Sequence, residues 1–237
     1  MRPINRGNSP QTTDFSDYRD AFSPLVGRIG PYCSFCERNI RTNLAVEHIQ
    51  PKDKGLYPEL KGAWDNYLLA CVNCNSTKGH KDVHPENFYL PDRDNTLAAF
   101  EYLADGVITS RNIGDAVAAC TLKLTGLDKE VRQAFDENGK LIATDRISQR
   151  MEAWLKAKRS KDRLRSNPSP ELIESIVELA LSEGFFSVWL TVFKDMPDMR
   201  RKLIDGFPGT SEDCFHPVTT ELVSPRPANG LANGGKI

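Results

Sequence analysis

The chain has no stretch approaching about 18 uncharged apolar residues, which excludes a membrane-spanning helix. It has no excess of either charge: 31 Lys and Arg stand against 32 Asp and Glu, for a net charge of −1. That balance does not announce a nucleic-acid binder, so any phosphate contact must come from local basic patches or a partner's surface. No apolar segment follows Met1-Arg-Pro-Ile-Asn-Arg6, so no secretory signal is expected and the chain reads as cytoplasmic. No internal repeat is present. Cysteine is scarce, with six residues in 237, and four of them fall into two C-x-x-C pairs. In a cytoplasmic chain that usage points to metal rather than disulfides. Cys120 and Cys214 stand alone and are expected as buried apolar residues. Apolar residues make up 39%, enough core for one large or two small domains.

What is present is concentrated in residues 33–78. The pairs are Cys33-Ser-Phe-Cys36 and Cys71-Val-Asn-Cys74. Each forms a knuckle with both sulfurs aimed at one spot, and together they supply the four thiolates of a closed structural zinc site. The spacer of 34 residues exceeds the roughly 15–20 of a plain zinc ribbon. It holds the run Leu44-Ala-Val-Glu47-His48-Ile49-Gln-Pro51, then a loop, then Trp64-Asp-Asn66-Tyr-Leu-Leu69. These read as two short strands joined by a long loop. Asn75-Ser-Thr-Lys78 reads as the first turn of a helix. The expected unit is ββα with a zinc clamp at its base.

In this order, C-x-x-C, E-H-I-x-P, W-x-N and C-x-x-C-N-x-x-K resemble the zinc-clamped HNH nucleases, whose active site is the ββα-metal type. The resemblance covers about residues 30–90. It implies that His48 is the general base and that Asn66 is the middle Asn that holds the loop and the base in place. It also implies that Glu47 and Asn75 bind the catalytic metal. Many members have Asp at the position of Glu47 and His at that of Asn75. Both substitutes keep an oxygen able to ligate a hard cation, so the departure bears on metal preference.

Hydrolysis of a phosphodiester needs an activated water and neutralisation of charge on the scissile phosphate. A neutral His serves as base near pH 7. A hard divalent ion such as Mg²⁺ or Mn²⁺ with oxygen ligands clamps the phosphate oxygens, and Glu47 and Asn75 offer oxygens. Adjacent side chains of a regular strand face opposite ways, so Glu47 and His48 share a site only where the strand ends or bends, and Pro51 fits such an exit. Lys78 lies three residues after Asn75 on the same helix face and is expected on a DNA phosphate. Lys52 and His80 are further candidates for substrate contact.

Around this unit, residues 14–29 show near-helical apolar spacing interrupted by Pro24, and residues 1–13 read as an arm, disordered or touching phosphate. Ala104-Asp-Gly106 between Ala99–Leu103 and Val107–Thr109 signals a hairpin. Arg93 and Asp94 are expected in an exposed loop. From 112 onward the pattern is helical, with a helix over 129–136 ended by Asn138-Gly139. A basic helix follows over about 144–165, carrying eight basic and three acidic residues. Its apolar stripe is read as Ile147, Met151, Trp154, Leu155 and the Lys158 stem, and its basic face either contacts phosphate or is ordinarily solvated. An amphipathic helix is expected over 170–183. The run Phe185–Phe193 is expected in a core or an interface, and Pro197 opens a short helix. Residues 218–237, rich in Pro, Gly, Asn and Thr, are expected disordered.

The fold class is α+β. The expected divisions are an arm and helix over 1–29, the nuclease module with its hairpin over 30–110, a helical region over 111–217 and the tail. Cys71, Cys74, His80 and His84 also have two-Cys, two-His spacing, but that site would strand Cys33 and Cys36 in knuckle spacing. The layout of an N-terminal HNH module, a Tyr-Leu-Pro-Asp segment, a Phe-Glu-Tyr…Asp-Gly hairpin and a helical tail resembles the nuclease subunit of Septu-type anti-phage systems. That resemblance implies an ABC-type ATPase partner, docked through the 185–193 run and the helical tail. The competing roles are a free-standing restriction or repair nuclease acting on DNA, and a zinc-stabilised nucleic-acid-binding module that does not cut.

Overall fold

The computed structural model describes residues 1–52, 55–129 and 145–237, together with the backbone pairing of 134–135 with 141–142. A 3₁₀ turn at Tyr18–Ala21, capped by the Asp17 carboxylate, leads into α1 (Phe22–Ile29). The α-helix is shorter than the apolar spacing over 14–29 suggested. Pro24 does not break it, because it sits in the first turn, where a missing N–H costs no intrahelical bond. Leu25 and Ile29 are buried, and α1 packs against the second strand of the central hairpin.

That hairpin is β1 (Leu44–His48) paired antiparallel with β2 (Tyr67–Cys71), in a register running from Leu44↔Cys71 to His48↔Tyr67. β2 is buried at every position, which is why it reads as an unbroken apolar run rather than an alternation. It passes directly into α2 (Val72–Lys78), which lies against both strands. The expected ββα unit is therefore present.

Beyond it, α3 (Thr96–Ala99) runs into β3 (Phe100–Tyr102), which pairs with β4 (Ile108–Ser110) across the Asp105-Gly106 turn. Next comes α4 (Ala116–Thr125), N-capped by Asp115 and closed by left-handed Gly126. Of the helix expected over 129–136, most lies outside the described residues. Within it, Ala134–Phe135 form β5 and pair with β6 (Leu141–Ile142), so a hairpin stands where the helix end was expected.

The basic helix is α5 (Arg146–Ser166), with Asp145 accepting from the Ile147 and Ser148 amides. Its buried face matches the expected stripe only in part: Ile147 is buried, Trp154 packs against the core and Met151 is half-buried. Ala153, Ala157 and Leu164 face inward, while Leu155 and Lys158 are exposed. The small alanines let α7 (Phe186–Val192) approach, and Trp189 and the following Phe193 fill the space as a stacked pair. α6 (Pro170–Glu183) precedes α7, and α8 (Pro197–Gly206) packs against both. The 185–193 run is thus core and is not available to a docking partner.

The first cysteine knuckle is tied to the helical region. Glu37 accepts from the Phe185 amide through its carbonyl, at 2.8 Å, and from the Ser187 amide through its carboxylate, at 2.9 Å. Gly184 has φ +78°, and a Cβ there would lie 2.4 Å from the Glu37 carbonyl oxygen, so only glycine permits this approach.

Both terminal segments differ from expectation. Met1, Arg2, Ile4 and Arg6 are buried rather than forming a disordered arm, and residues 223–237 are hydrogen-bonded to the 91–95 segment. Composition suggested disorder because neither segment carries much apolar surface. Buried arginines instead satisfy the carbonyls of irregular backbone. Arg226 donates to the Pro91 and Ile4 carbonyls, Arg93 to those of Ala232 and Asp65, and Arg6 pairs with Asp92 at 2.9 Å. Arg93 and Asp94, expected in an exposed loop, are buried in this network, with Asp94 paired to Lys236. Cys120, expected to be buried, is exposed on α4, while Cys214 is buried as expected. Among the described residues no helix is long and apolar enough to cross a membrane.

Candidate active site and metal centre

The four cysteines of the two knuckles converge. The sulfurs of Cys33, Cys36, Cys71 and Cys74 all lie within 4.8 Å of one another, and those of Cys36 and Cys71 are 3.7 Å apart. A tetrahedron with Zn–S bonds of about 2.3 Å has S···S edges near 3.8 Å, so the cluster fits a structural zinc site. His80 and His84 stay outside it, which removes the two-Cys, two-His arrangement. Two arginines that no local pattern announces face the sulfurs. Arg38 donates to the Cys71 sulfur at 3.2 Å and Arg146 to that of Cys74 at 3.1 Å. The other three thiols, together with Arg38, hold the Cys71 thiol well below the ordinary cysteine range. Arg146 also donates to the Thr125 and Gly126 carbonyls, so the start of α5 is fastened to the cluster and to the end of α4.

Above the cluster, an open cleft of about 810 Å³ is lined by Glu47, His48, Lys52, Asn75, Lys78 and His80, the six predicted residues that were expected at substrate or catalytic metal. Glu47 and His48 reach the same cleft because His48 is the last residue of β1. A carbonyl can only accept a hydrogen bond, so the 3.1 Å contact between His48 Nε2 and the Lys61 carbonyl places the ring hydrogen on Nε2. Nδ1 is then the basic nitrogen of the neutral ring. Tyr18 and Tyr67 each set a ring edge-on to the imidazole at 5.0 Å, fixing its orientation. The Tyr67 hydroxyl donates to the same Lys61 carbonyl at 2.6 Å.

Asn66 does not line the cleft. Its Oδ1 accepts from the Gln50 amide at 2.8 Å, and its Nδ2 donates to the Gln50 and Leu60 carbonyls at 2.9 and 3.2 Å. One buried side chain therefore closes the ends of the long loop that carries Lys61. Trp64, two residues earlier, donates from its indole to the Gly7 carbonyl and stacks on Phe15, joining that loop to the N-terminal segment.

Lys78 departs from its expected role. It is 2% exposed and its ammonium lies 2.8 Å from Glu47 Oε1, so it does not reach outward to a backbone phosphate. Burial raises the pKa of Glu47, against the opposing pull of Lys78 and Lys52. The Glu47 carboxylate and the Asn75 amide supply hard oxygen donors to one cleft, a set that suits Mg²⁺ or Mn²⁺. The wall formed by Tyr18, Arg19 and Phe22 was not foreseen, because nothing local in residues 14–29 shows that they pack beside β1.

Comparison with curated proteins yields no match. Residues 33–81 match the model of the HNH endonuclease family, and that match together with the four-cysteine cluster fits a zinc-binding HNH module.

Proposed function

We propose that the chain is a metal-dependent HNH endonuclease that hydrolyses phosphodiester bonds in DNA. The observation that carries this reading is the single cleft that gathers Glu47, His48 and Asn75 beside the four-cysteine cluster. His48, with its hydrogen held on Nε2 by the Lys61 carbonyl, takes a proton from the attacking water at Nδ1. Glu47 and Asn75 would hold the catalytic Mg²⁺ or Mn²⁺ through oxygen. When bound, that ion neutralises charge on the scissile phosphate and on the leaving oxygen. Asn66 is a positioning residue, acting through the loop that carries Lys61. Lys52 and His80 contact the substrate, and Lys78 positions the Glu47 carboxylate.

In its biological setting we read the chain as the nuclease of a cytoplasmic anti-phage assembly with an ABC-type ATPase partner. The layout of module, hairpin and helical tail supports this. With the 185–193 run in the core, the ATPase must dock elsewhere on the helical region. Co-purification with the product of an ATPase gene found beside this one tests the assembly.

The activity itself is tested with supercoiled plasmid, incubated with the wild type or His48→Ala in Mg²⁺, Mn²⁺ or EDTA. Metal-dependent nicking by the wild type alone supports the reading. Equal cutting by the two proteins removes His48 as the base. No cutting by either, even with the ATPase present, favours a binding module that does not cut.

A further inference from the structure

The cleft has an aromatic wall of which Tyr18, set edge-on to His48, serves the base, while Phe22 has no part in hydrolysis. Phe22 lines the cleft and remains 37% exposed, so part of its ring is open to a ligand. Tyr18 stands next to it on the preceding turn. Lys52 lays its ammonium 3.6 Å from the Tyr18 ring centroid, a cation–π contact that holds a long flexible side chain against the wall. Two other cations of the cleft are engaged by carboxylates: Lys78 by Glu47, and Arg19 by Asp17.

This distribution does not suit a duplex. A protein that grips double-stranded DNA through its backbone typically neutralises about 6–10 phosphates. The cleft itself offers Arg19, Lys52 and Lys78, too few to grip a duplex through its backbone without help from outside the cleft. Single strands are held by a positively charged groove and, unlike a duplex, by aromatic faces on which bases stack. The faces of bases inside a duplex are already stacked and cannot reach such a ring unless the base is flipped out. An exposed aromatic ring with one preplaced ammonium matches the first need and not the second.

We propose that Phe22, Tyr18 and Lys52 form a nucleobase subsite beside the scissile phosphate, with the base stacked on Phe22 and the flanking phosphate on Lys52, so that the substrate class is an unpaired or readily unpaired strand. This rests on the nuclease reading and narrows it.

The test uses the full chain carrying His48→Ala, so that binding is read without cutting. Fluorescence anisotropy is measured with one short labelled oligonucleotide as single strand, as duplex, and as single strand with one base removed. The single strand is expected to bind about tenfold more tightly than the duplex, within the range set by stacking one base. Removing the base, or adding Phe22→Ala, is expected to abolish that preference, and Phe22→Trp to restore it. Circular dichroism checks that each variant is folded. A duplex bound as tightly as the single strand overturns the subsite, as does a folded Phe22→Ala protein with an unchanged preference. If the wild type still nicks plasmid in Mg²⁺ or Mn²⁺, only the subsite has failed. If it neither binds nor cuts, the nuclease reading has failed with it.

Discussion

The ammonium of Lys78 lies 2.8 Å from Oε1 of Glu47, and both side chains are buried. The pair joins the end of α2 to the end of β1, one at each side of the cleft. Two charges removed from water cost several kcal/mol each, and only a well-placed partner offsets this. In metal-free protein, Lys78→Met leaves Glu47 buried and unpaired, and Glu47→Gln does the same to Lys78. Each single change is expected to lower stability by about 3–5 kcal/mol. The double change, Glu47→Gln with Lys78→Met, is expected to recover most of that loss. Urea unfolding of the four proteins measures the coupling, and additive losses would show that the two charges do not interact.

A second expectation concerns pH. Burial raises the pKa of Glu47 in the folded chain, so the fold favours its protonated form. The stability this contributes is present below the unfolded glutamate pKa and is lost as pH rises through the raised folded value. A divalent ion bound by the ionised carboxylate offsets that loss. Adding Mn²⁺ is therefore expected to raise the unfolding temperature more at pH 8 than at pH 5, and to do so much less in Glu47→Gln. Thermal unfolding across that range, with and without Mn²⁺, is the measurement. An increment independent of pH would place the ion elsewhere.

The cysteine cluster makes a separate prediction. Four thiolates around Zn²⁺ carry a net charge of −2, and Arg38 and Arg146 face two of the sulfurs at 3.2 and 3.1 Å. Structural zinc supplies folding energy outright, so Cys74→Ser is expected to release zinc and unfold the module. Arg146→Gln is expected to keep the four ligands but weaken zinc by about 10–100-fold, the usual effect of removing an outer partner. Competition against a coloured chelator reads both. Unchanged affinity in Arg146→Gln would reduce that arginine to a fastening for α5.

Much of this site was legible because its chemistry is written in short spacings. Cys33, Cys36, Cys71 and Cys74 come in pairs, and a knuckle is a local structure. Glu47 and His48 mark the end of a strand, and Asn75 follows the second knuckle. What was not legible depends on contacts between distant segments. Arg38 and Arg146 are 108 positions apart, and nothing near Arg146 indicates that α5 begins at a sulfur. Lys78 was read as an outward cation because helix spacing gives its face but not what covers it. The terminal segments were read as disordered from composition, yet Arg6, Arg93 and Arg226 replace a hydrophobic core there with hydrogen bonds to backbone. The apolar stripe of α5 was misjudged in part because alanines carry little weight in a hydrophobic pattern, although they mark the closest helix approach.

Asn66 offers the sharpest test of how the loop serves the base. Its side chain makes three hydrogen bonds to backbone at Gln50 and Leu60, and the loop so closed presents the Lys61 carbonyl to His48 Nε2. Asn66→Ala leaves a buried amide and carbonyls unmatched and is expected to cost about 2–3 kcal/mol. Asn66→Asp keeps the acceptor for the Gln50 amide but turns a carboxylate toward two carbonyl oxygens. Repulsion there favours the protonated acid, whose hydrogen can serve one of those carbonyls. The folded pKa of the new Asp would thus be raised, so Asn66→Asp is expected to be near Asn66→Ala in stability at pH 8 and to recover as pH falls toward 5. If Asn66 acts through the loop, both variants lose cleavage rate more than substrate affinity, since the base moves while the cleft wall stays. Denaturant unfolding at the two pH values, with a separation of kcat from KM, decides it. Wild-type stability of Asn66→Asp at pH 8 would mean that the loop is held by something other than this side chain.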